Sequence, residues 1–410
     1  MTQIPQSMAA HAVRTGSGNA GWSTTLASMF GLTFGASSLT VLAFAAFMAP
    51  LQQEFGWRIP DIAIGASIIT IMIMILSPIQ GALVDKYGSR RLILISIPLF
   101  AASLASMYFL PNSLMVFYAA WVGISICGLG CWPISYLRAT AGWFDKNLGL
   151  ALGVANAGIG VGVALTPVIV ATLIGAYGWR EAFLGLGVLA LLVWPVVYFF
   201  LVEPTRDVAA AIGEGQEFWE AAKTRPFLIA VAAFFLLGLF SSTTVVHQVR
   251  IFLDAGIPAA TATAIPSAFG IALIVARLGT GWLLDHVQAS IVMAFFLIGG
   301  FITALLYAQG PSLPMAIVGA ALAGLIVGAE FDVLSYIIPR YHGRKSLGKI
   351  YGAIFAVFQF AGATGIFLAG MSREATGSYS LTMYVLAAVC LACIALFMMM
   401  GPYRYQRGAH

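Results

Sequence analysis

The chain has 410 residues, of which 60% are hydrophobic and 9% charged, with a mean hydropathy of +0.95 and a net charge of +5. A soluble domain carries roughly 25% charged residues to keep its surface wet, so this chain must face lipid over most of its exterior. The small basic excess is spread over short loops and marks no nucleic-acid partner.

In chain order, residues 1–22 are polar and rich in Gly and Ser, without the basic segment, short apolar core and cleavage site of a signal peptide. They read as a tail, 1–24. Spanning a bilayer takes roughly 20 mostly apolar residues in a helix. Such runs fall at 25–50, 62–82, 91–110, 114–142, 149–176, 181–202, 226–252, 261–284, 289–309, 313–338, 349–370 and 379–401. The breaks carry turn chemistry, as at Pro111-Asn112, Gly178-Trp179, Gly310-Pro311 and Thr376-Gly377. An all-α membrane protein of twelve transmembrane helices follows, with a six-helix half at 25–202, a linker at 203–225, a second half at 226–401 and a tail at 402–410. The linker holds Glu203, Arg206, Asp207, Glu214, Glu217, Glu220, Lys223 and Arg225, and its 209–223 segment is expected to form a short surface helix. Cys127, Cys131, Cys390 and Cys393 lie inside apolar runs with no His or acid beside them to complete a metal site. No metal and no cofactor is expected.

Lys and Arg orient the chain. With a cytoplasmic N-terminus, that side holds Arg14, Lys86, Arg90, Arg91, Lys146, Arg206, Lys223, Arg225, Arg340, Arg344, Lys345, Lys349, Arg404 and Arg407, against Arg58, Arg180, Arg250 and Arg373 outside. Both termini are therefore expected in the cytoplasm of a bacterial-type inner membrane. The halves also repeat. Gly81-x-x-x-Asp85 returns as Gly281-x-x-x-Asp285, Ser135-Tyr136 as Ser335-Tyr336, and Gly149-x-x-x-Gly153 as Gly348-x-x-x-Gly352, at offsets of 200, 200 and 199. Duplicated halves of this kind are common in transporters, whose substrate sites lie near the midplane between repeats.

The loop Gly81-Ala-Leu-Val-Asp85-Lys86-Tyr-Gly88-Ser-Arg90-Arg91 resembles, at every defined position, the signature loop of the major facilitator superfamily. Physically, Gly81 permits close helix approach, and Asp85 can cap a neighbouring helix N-terminus and pair with a loop Arg, latching one conformation. Gly81, Asp85, Arg90, Gly281 and Asp285 are accordingly expected to act in gating. Within the superfamily the chain is similar to the branch of monocarboxylate transporters and oxalate–formate exchangers. The residues carrying this are Trp143-Phe144-x-Lys146-x-x-Gly149-Leu-Ala-Leu-Gly153, Ala276-Arg277, Gly328-Ala-Glu330-Phe-Asp332, Ser335-Tyr336 and Arg340-Tyr341. There are departures. Ala119–Gly123 lacks the Arg found in many proton-driven relatives, and Leu273 stands where proton-linked carriers often pair the Arg of the eighth run with an Asp. Coupling by that pair is excluded.

Arg277, Arg138, Glu330 and Asp332 are the charges that lie more than two residues from either end of a run. An Arg inside a bilayer costs about 3 kcal/mol or more unless it faces protein or water, and its planar fork suits a carboxylate. Arg277 is thus either a substrate contact or half of an ion pair with Glu330 or Asp332. Those two acids are two residues apart, roughly 200° around a helix, and cannot share one face. Either can carry a proton or serve structure. Arg138, near the cytoplasmic end of the fourth run, snorkels, gates or steers anions. His247-Gln248, Trp132 and the matched pair Tyr136 and Tyr336 are candidate substrate contacts, with interfacial or packing roles as the plainer readings. Gly343-Arg-Lys-Ser-Leu-Gly348-Lys349 imitates a nucleotide-phosphate loop but is followed by Ile350 rather than Ser or Thr, so ATP-driven transport is not expected. No nucleophile–base motif suggests an enzyme. The expected function is a monomeric secondary transporter of a small organic anion, a monocarboxylate, coupled to protons or to a counter-anion. Larger or aromatic carboxylates, suggested by Trp132, Phe331, Phe355, Phe358 and Phe360, are the alternative. A membrane-embedded receptor or enzyme is the reading from a different class.

Overall fold

The bilayer core offers no water to unpaired amides and carbonyls, so apolar segments must close their own hydrogen bonds as helices. The computed structural model describes residues 6–203 and 215–405, which are helical with no strand and one isolated bridge, Gly215 to Gly343. Arg206, Asp207 and Glu214 of the linker, and Arg407, lie outside the described residues. Of the surface helix expected at 209–223, the described part is helical only at Phe218–Ala221, closed by a capping box of Glu217 and Glu220. The stretch expected as an N-terminal tail is instead helical from Gln6.

Among the described residues, eleven helices are long and apolar enough to cross a membrane: α1 (Asn19–Phe55), α2 (Ile59–Tyr87), α3 (Ser89–Phe109), α5 (Leu148–Tyr177), α6 (Trp179–Phe200), α7 (Arg225–Asp254), α8 (Ala259–His286), α9 (Ala289–Ala308), α10 (Leu313–His342), α11 (Leu347–Thr376) and α12 (Ser380–Met398). The remaining crossing, α4, is broken. It runs as Leu114–Cys127, a 3-10 turn at Leu129–Cys131, an extended Trp132 and a second helix, Pro133–Ala141. Pro133 explains the break, since its ring restricts the preceding Trp132 to extended backbone while fitting the first position of the next helix. All twelve expected crossings are present.

The chain forms two compact units, one running through Gly215 and taking in Gly343–Lys349, the other made of Gln216–His342 and the chain from Ile350 on. Their internal packing follows one plan. In the first, α2 packs on α4, α3 on α4 and α3 on α6; in the second, α8 packs on α10, α9 on α10 and α9 on α12. The repeat seen as short motifs in the sequence is thus a repeat of helix pairings.

Candidate functional site

The second unit holds a buried charge cluster built by a close helix crossing. Gly324 and Gly328, four apart on α10, let that helix lie against the backbone of α8 at Phe269 and Leu273. A Cβ at Gly328 would stand 2.6 Å from both the Leu273 carbonyl and the Ala276 side chain. Small residues at this spacing are the common means of close approach between membrane helices. One turn further along each helix, Arg277 and Asp332 meet. Their charged atoms are 3.9 Å apart, with the side chains 4% and 0% exposed. Among the described residues no hydrogen-bond partner reaches Arg277 Nε or Nη1. A buried guanidinium has five donors to satisfy, so this cation retains capacity for an anion.

Glu330 points elsewhere. The Ser241 hydroxyl on α7 donates to Glu330 Oε2 at 2.6 Å, and Glu330 is 1% exposed. The two acids therefore serve different neighbours, Glu330 meeting α7 and Asp332 meeting α8. Tyr351 of α11 is buried within electrostatic reach of Arg277, Glu330 and Asp332. Beside the cluster, Phe331, Phe355 and Phe358 pack with centroids 5.1–6.3 Å apart, whereas Phe360 is exposed.

The signature loop belongs to the first unit, and there the structure corrects the expectation. Asp85 Oδ1 and Oδ2 accept from the amides of Gly348 and Lys349 at 3.0 and 2.9 Å, capping the start of α11. Its cationic partner is Arg138, at 3.0 Å, rather than a loop Arg. Arg90 instead donates to the Tyr198 carbonyl at 2.6 Å and stacks on the Tyr198 ring. A Cβ at Gly81 would overlap the Gly348 carbonyl, so only glycine allows this approach. The amides of the phosphate-loop lookalike are thus taken by a carboxylate. Arg138 is a partner of the signature acid rather than a snorkelling residue, which its position alone could not reveal. In the second half Gly281 is buried within α8 and Asp285 partly so.

Elsewhere in the first unit the buried polar groups among the described residues are neutral. Gln80 donates to the Trp132 carbonyl at 3.1 Å and to Ser135 Oγ at 2.9 Å, tying α2 to the break in α4. Tyr136 is buried against α1 at Gly31, and Trp132 is buried at the break. Tyr136 and Tyr336 match in sequence but not in surroundings. Tyr336 stands in a cluster with Tyr403 and Arg340, 6.2 and 5.1 Å away. Burial pushes the Tyr403 phenol up, and its oxygen accepts from the Ala289 amide at 2.6 Å.

Both His247 nitrogens are engaged. Nε2 lies 3.1 Å from the Ile366 carbonyl, so it must donate, and Nδ1 then accepts from the Tyr379 hydroxyl at 2.9 Å. Burial raises the Tyr379 phenol, which keeps it a donor. Arg373 stacks on Tyr379 and pairs with Asp254 at 2.7 Å. This network joins α7, α11 and the turn before α12 and gives His247 a fastening role. Gln248, 4% exposed, donates to the Val245 carbonyl at 3.3 Å.

Ser241 and Gln80 were missed in the sequence. Ser241-Ser-Thr-Thr244, four hydroxyls in the middle of an apolar run, and a lone amide five residues before Asp85 were the available signals.

Comparison with known proteins gives a consistent picture. Residues 26–309 match the family model described as Major Facilitator Superfamily. The chain is 25% identical over 370 residues to the uncharacterized MFS-type transporter YcxA of Bacillus subtilis, covering 86% of this chain and 88% of that one. It is 28% identical over 389 residues to monocarboxylate transporter 13 of Bos taurus, covering 92% and 88%. Among solved structures, the E. coli fucose:proton symporter FucP superposes with a TM-score of 0.71 at 14% identity, covering 93% of this chain and 98% of that one. The proton:xylose symporter XylE gives 0.73 at 12%, covering 94% and 97%. At such identities these likenesses show the fold alone.

Proposed function

The chain belongs to the Major Facilitator Superfamily, a family of membrane transporters rather than enzymes, and we propose that it carries a small organic anion, a monocarboxylate, by alternating access of its two halves. One observation carries the proposal: Arg277 is a buried cation whose counter-ion stands 3.9 Å away, with two of its nitrogens lacking a hydrogen-bond partner among the described residues. A carboxylate docking there gains charge-assisted hydrogen bonds that Asp332 does not supply. The similarity to monocarboxylate transporter 13 supports the same substrate class. Arg277 is the substrate contact, Glu330 the proton carrier, and Asp85 with Arg138 and Gly81 the latch whose release accompanies conformational exchange. Both termini face the cytoplasm of a bacterial-type inner membrane, as the Lys and Arg distribution favours.

Substrate binding and protonation of Glu330 would favour each other by linkage. An anion on Arg277 weakens that residue's pull on the neighbouring carboxylates, so Glu330 then holds a proton more readily. Anion exchange is the other coupling mode and needs no proton on Glu330. The aromatic group Phe331, Phe355 and Phe358 favours a second reading of the substrate, a larger or aromatic carboxylate stacked beside Arg277.

A thermal-shift panel of formate, oxalate, lactate, pyruvate, benzoate and phenylacetate tests the proposal, because a ligand that binds only the folded state raises apparent stability. Stabilisation by lactate or pyruvate that disappears in a folded Arg277→Ala variant is the expected result. Stabilisation by benzoate and phenylacetate alone would favour the aromatic reading. Undiminished binding by Arg277→Ala would remove Arg277 from the site.

A further inference from the structure

Below Glu330's partner, α7 carries two more polar groups on the same face. Ser241, Thr244 and Gln248 are spaced three and four residues apart, which stacks them along one side of a helix. At 1.5 Å per residue they span roughly 10 Å along the helix axis. Thr244 is 1% exposed and Gln248 4%. Among the described residues Thr244 Oγ1 and Gln248 Oε1 have no hydrogen-bond partner. Packing alone does not explain polar groups there, since a valine and a leucine would fill the same space without leaving acceptors unsatisfied. Buried polar groups without protein partners are sites where ordered water is held.

The neighbouring α7 residues have other duties. A Cβ at Gly362 would press on the Ser242 side chain, and one at Gly365 would stand 2.6 Å from Thr243 Oγ1, so these residues face α11. His247 is fastened to Ile366 and Tyr379. Among the described residues, the α7 hydroxyl that meets a buried acid belongs to the Ser241–Thr244–Gln248 face. The charged and titratable groups around that acid are Arg277 on α8, Asp332 on α10 itself and Tyr351 on α11. From α9 the one titratable group is Tyr307, whose ring lies against Gly319, about three turns of α10 from Glu330. Beyond Gln248 the same face of α7 becomes apolar at Ile251 and Phe252, both buried.

We propose that Thr244 and Gln248 hold the water through which a proton reaches Glu330, with Ser241 as the last relay. The inference rests on the reading of Glu330 as proton carrier and adds the route. In the transfer, the Ser241 O–H bond breaks as its proton passes to Glu330 Oε2. A new O–H bond forms on Ser241 with a proton from the water held at Thr244. The hydroxyl is regenerated, and that water is reprotonated through the water at Gln248. Ile251 and Phe252 end the track on the outer side in the orientation proposed above, so a proton enters only when this end opens. Ser241 relays the proton, Thr244 and Gln248 are positioning residues, and none of the three is expected to touch the transported anion.

A test that needs no knowledge of the substrate is time-resolved infrared spectroscopy after a rapid pH drop, on protein in liposomes. The protonated-carboxyl band that Glu330→Gln removes reports Glu330. In a Thr244→Val/Gln248→Leu variant this band should reach the wild-type amplitude but rise about tenfold more slowly, because the bridging water has lost its partners. Thr244→Val, which preserves shape, carries the test alone if the double variant does not fold. A band that rises as fast as in the wild type overturns the track while leaving Glu330 as the proton carrier. If no band is removed by Glu330→Gln, the acid takes no proton, and the reading beneath the track falls with it.

Discussion

The two units share a packing plan yet differ in what they bury. In the first, the polar groups deep among the helices are neutral: Gln80 ties α2 to the break in α4, with Ser135 and the Trp132 carbonyl as acceptors. The acid at the end of α2, Asp85, is partly buried and is a cap fastened to two amides and Arg138. In the second, Arg277, Asp332 and Glu330 stand in the matching region, and the cation is incompletely satisfied. Both patterns follow from one duplicated scaffold, so fold does not require the charges. Burying them is expensive, and their concentration in one half argues for chemistry there and for conformational control in the other.

The largest effect that can break this comparison is expected at Glu330. Glu330→Gln resembles the protonated acid, so proteoliposome uptake driven by a pH gradient should fall roughly a hundredfold, into the range of a lost general acid–base group. Exchange between two loaded compartments should persist. If wild-type uptake ignores an imposed pH gradient and responds only to a counter-anion, the protein is an exchanger and Glu330 is structural.

Asp332→Asn should act on stability and on binding. Removing the counter-ion leaves Arg277 buried and less compensated, at a loss of about 3 kcal/mol in stability. The same change removes the competitor for the guanidinium, so a carboxylate should bind about tenfold tighter and restore part of the melting temperature by mass action. A variant that is neither less stable nor tighter binding would show that the 3.9 Å pair is not an energetic unit.

The first unit should respond in rate rather than affinity. Asp85→Asn keeps the shape of the cap but weakens its hold on the Gly348 and Lys349 amides and on Arg138. Transport should change by roughly tenfold with ligand affinity within about twofold, since the cap biases conformational exchange and not the anion's contacts. Affinity and uptake measured on one preparation decide it. A large loss of affinity with normal turnover would place Asp85 in the binding site.

How much of this could be read from the sequence depended on how local the cause was. The crossings were legible because a span is a local property of some twenty residues. Glu330 and Asp332 were separable because helix geometry fixes their angle. The Gly324-x-x-x-Gly328 spacing, one turn before Asp332, also lay in plain view, although its partner on α8 did not. What stayed hidden was pairing across the fold. Arg138 reaches Asp85 over 53 positions and Ser241 reaches Glu330 over 89, and no periodicity records such contacts. The tyrosines show the converse error. Tyr136 and Tyr336 match in the repeat, yet one packs on α1 and the other joins the cluster around Tyr403.

The claim at the centre of the account is that anion recognition belongs to the second unit and depends on the guanidinium of Arg277. The direct measurement is equilibrium binding of the best carboxylate from the panel to wild type, Arg277→Lys and Gln80→Leu, each purified and shown by a cooperative melt to be folded at the assay temperature. Lys keeps the charge and loses the planar fork, so affinity should fall at least about tenfold. Gln80→Leu removes two neutral hydrogen bonds worth about 1 kcal/mol each to stability and should leave affinity unchanged. Full affinity in Arg277→Lys, or an equal loss in Gln80→Leu, would contradict the assignment.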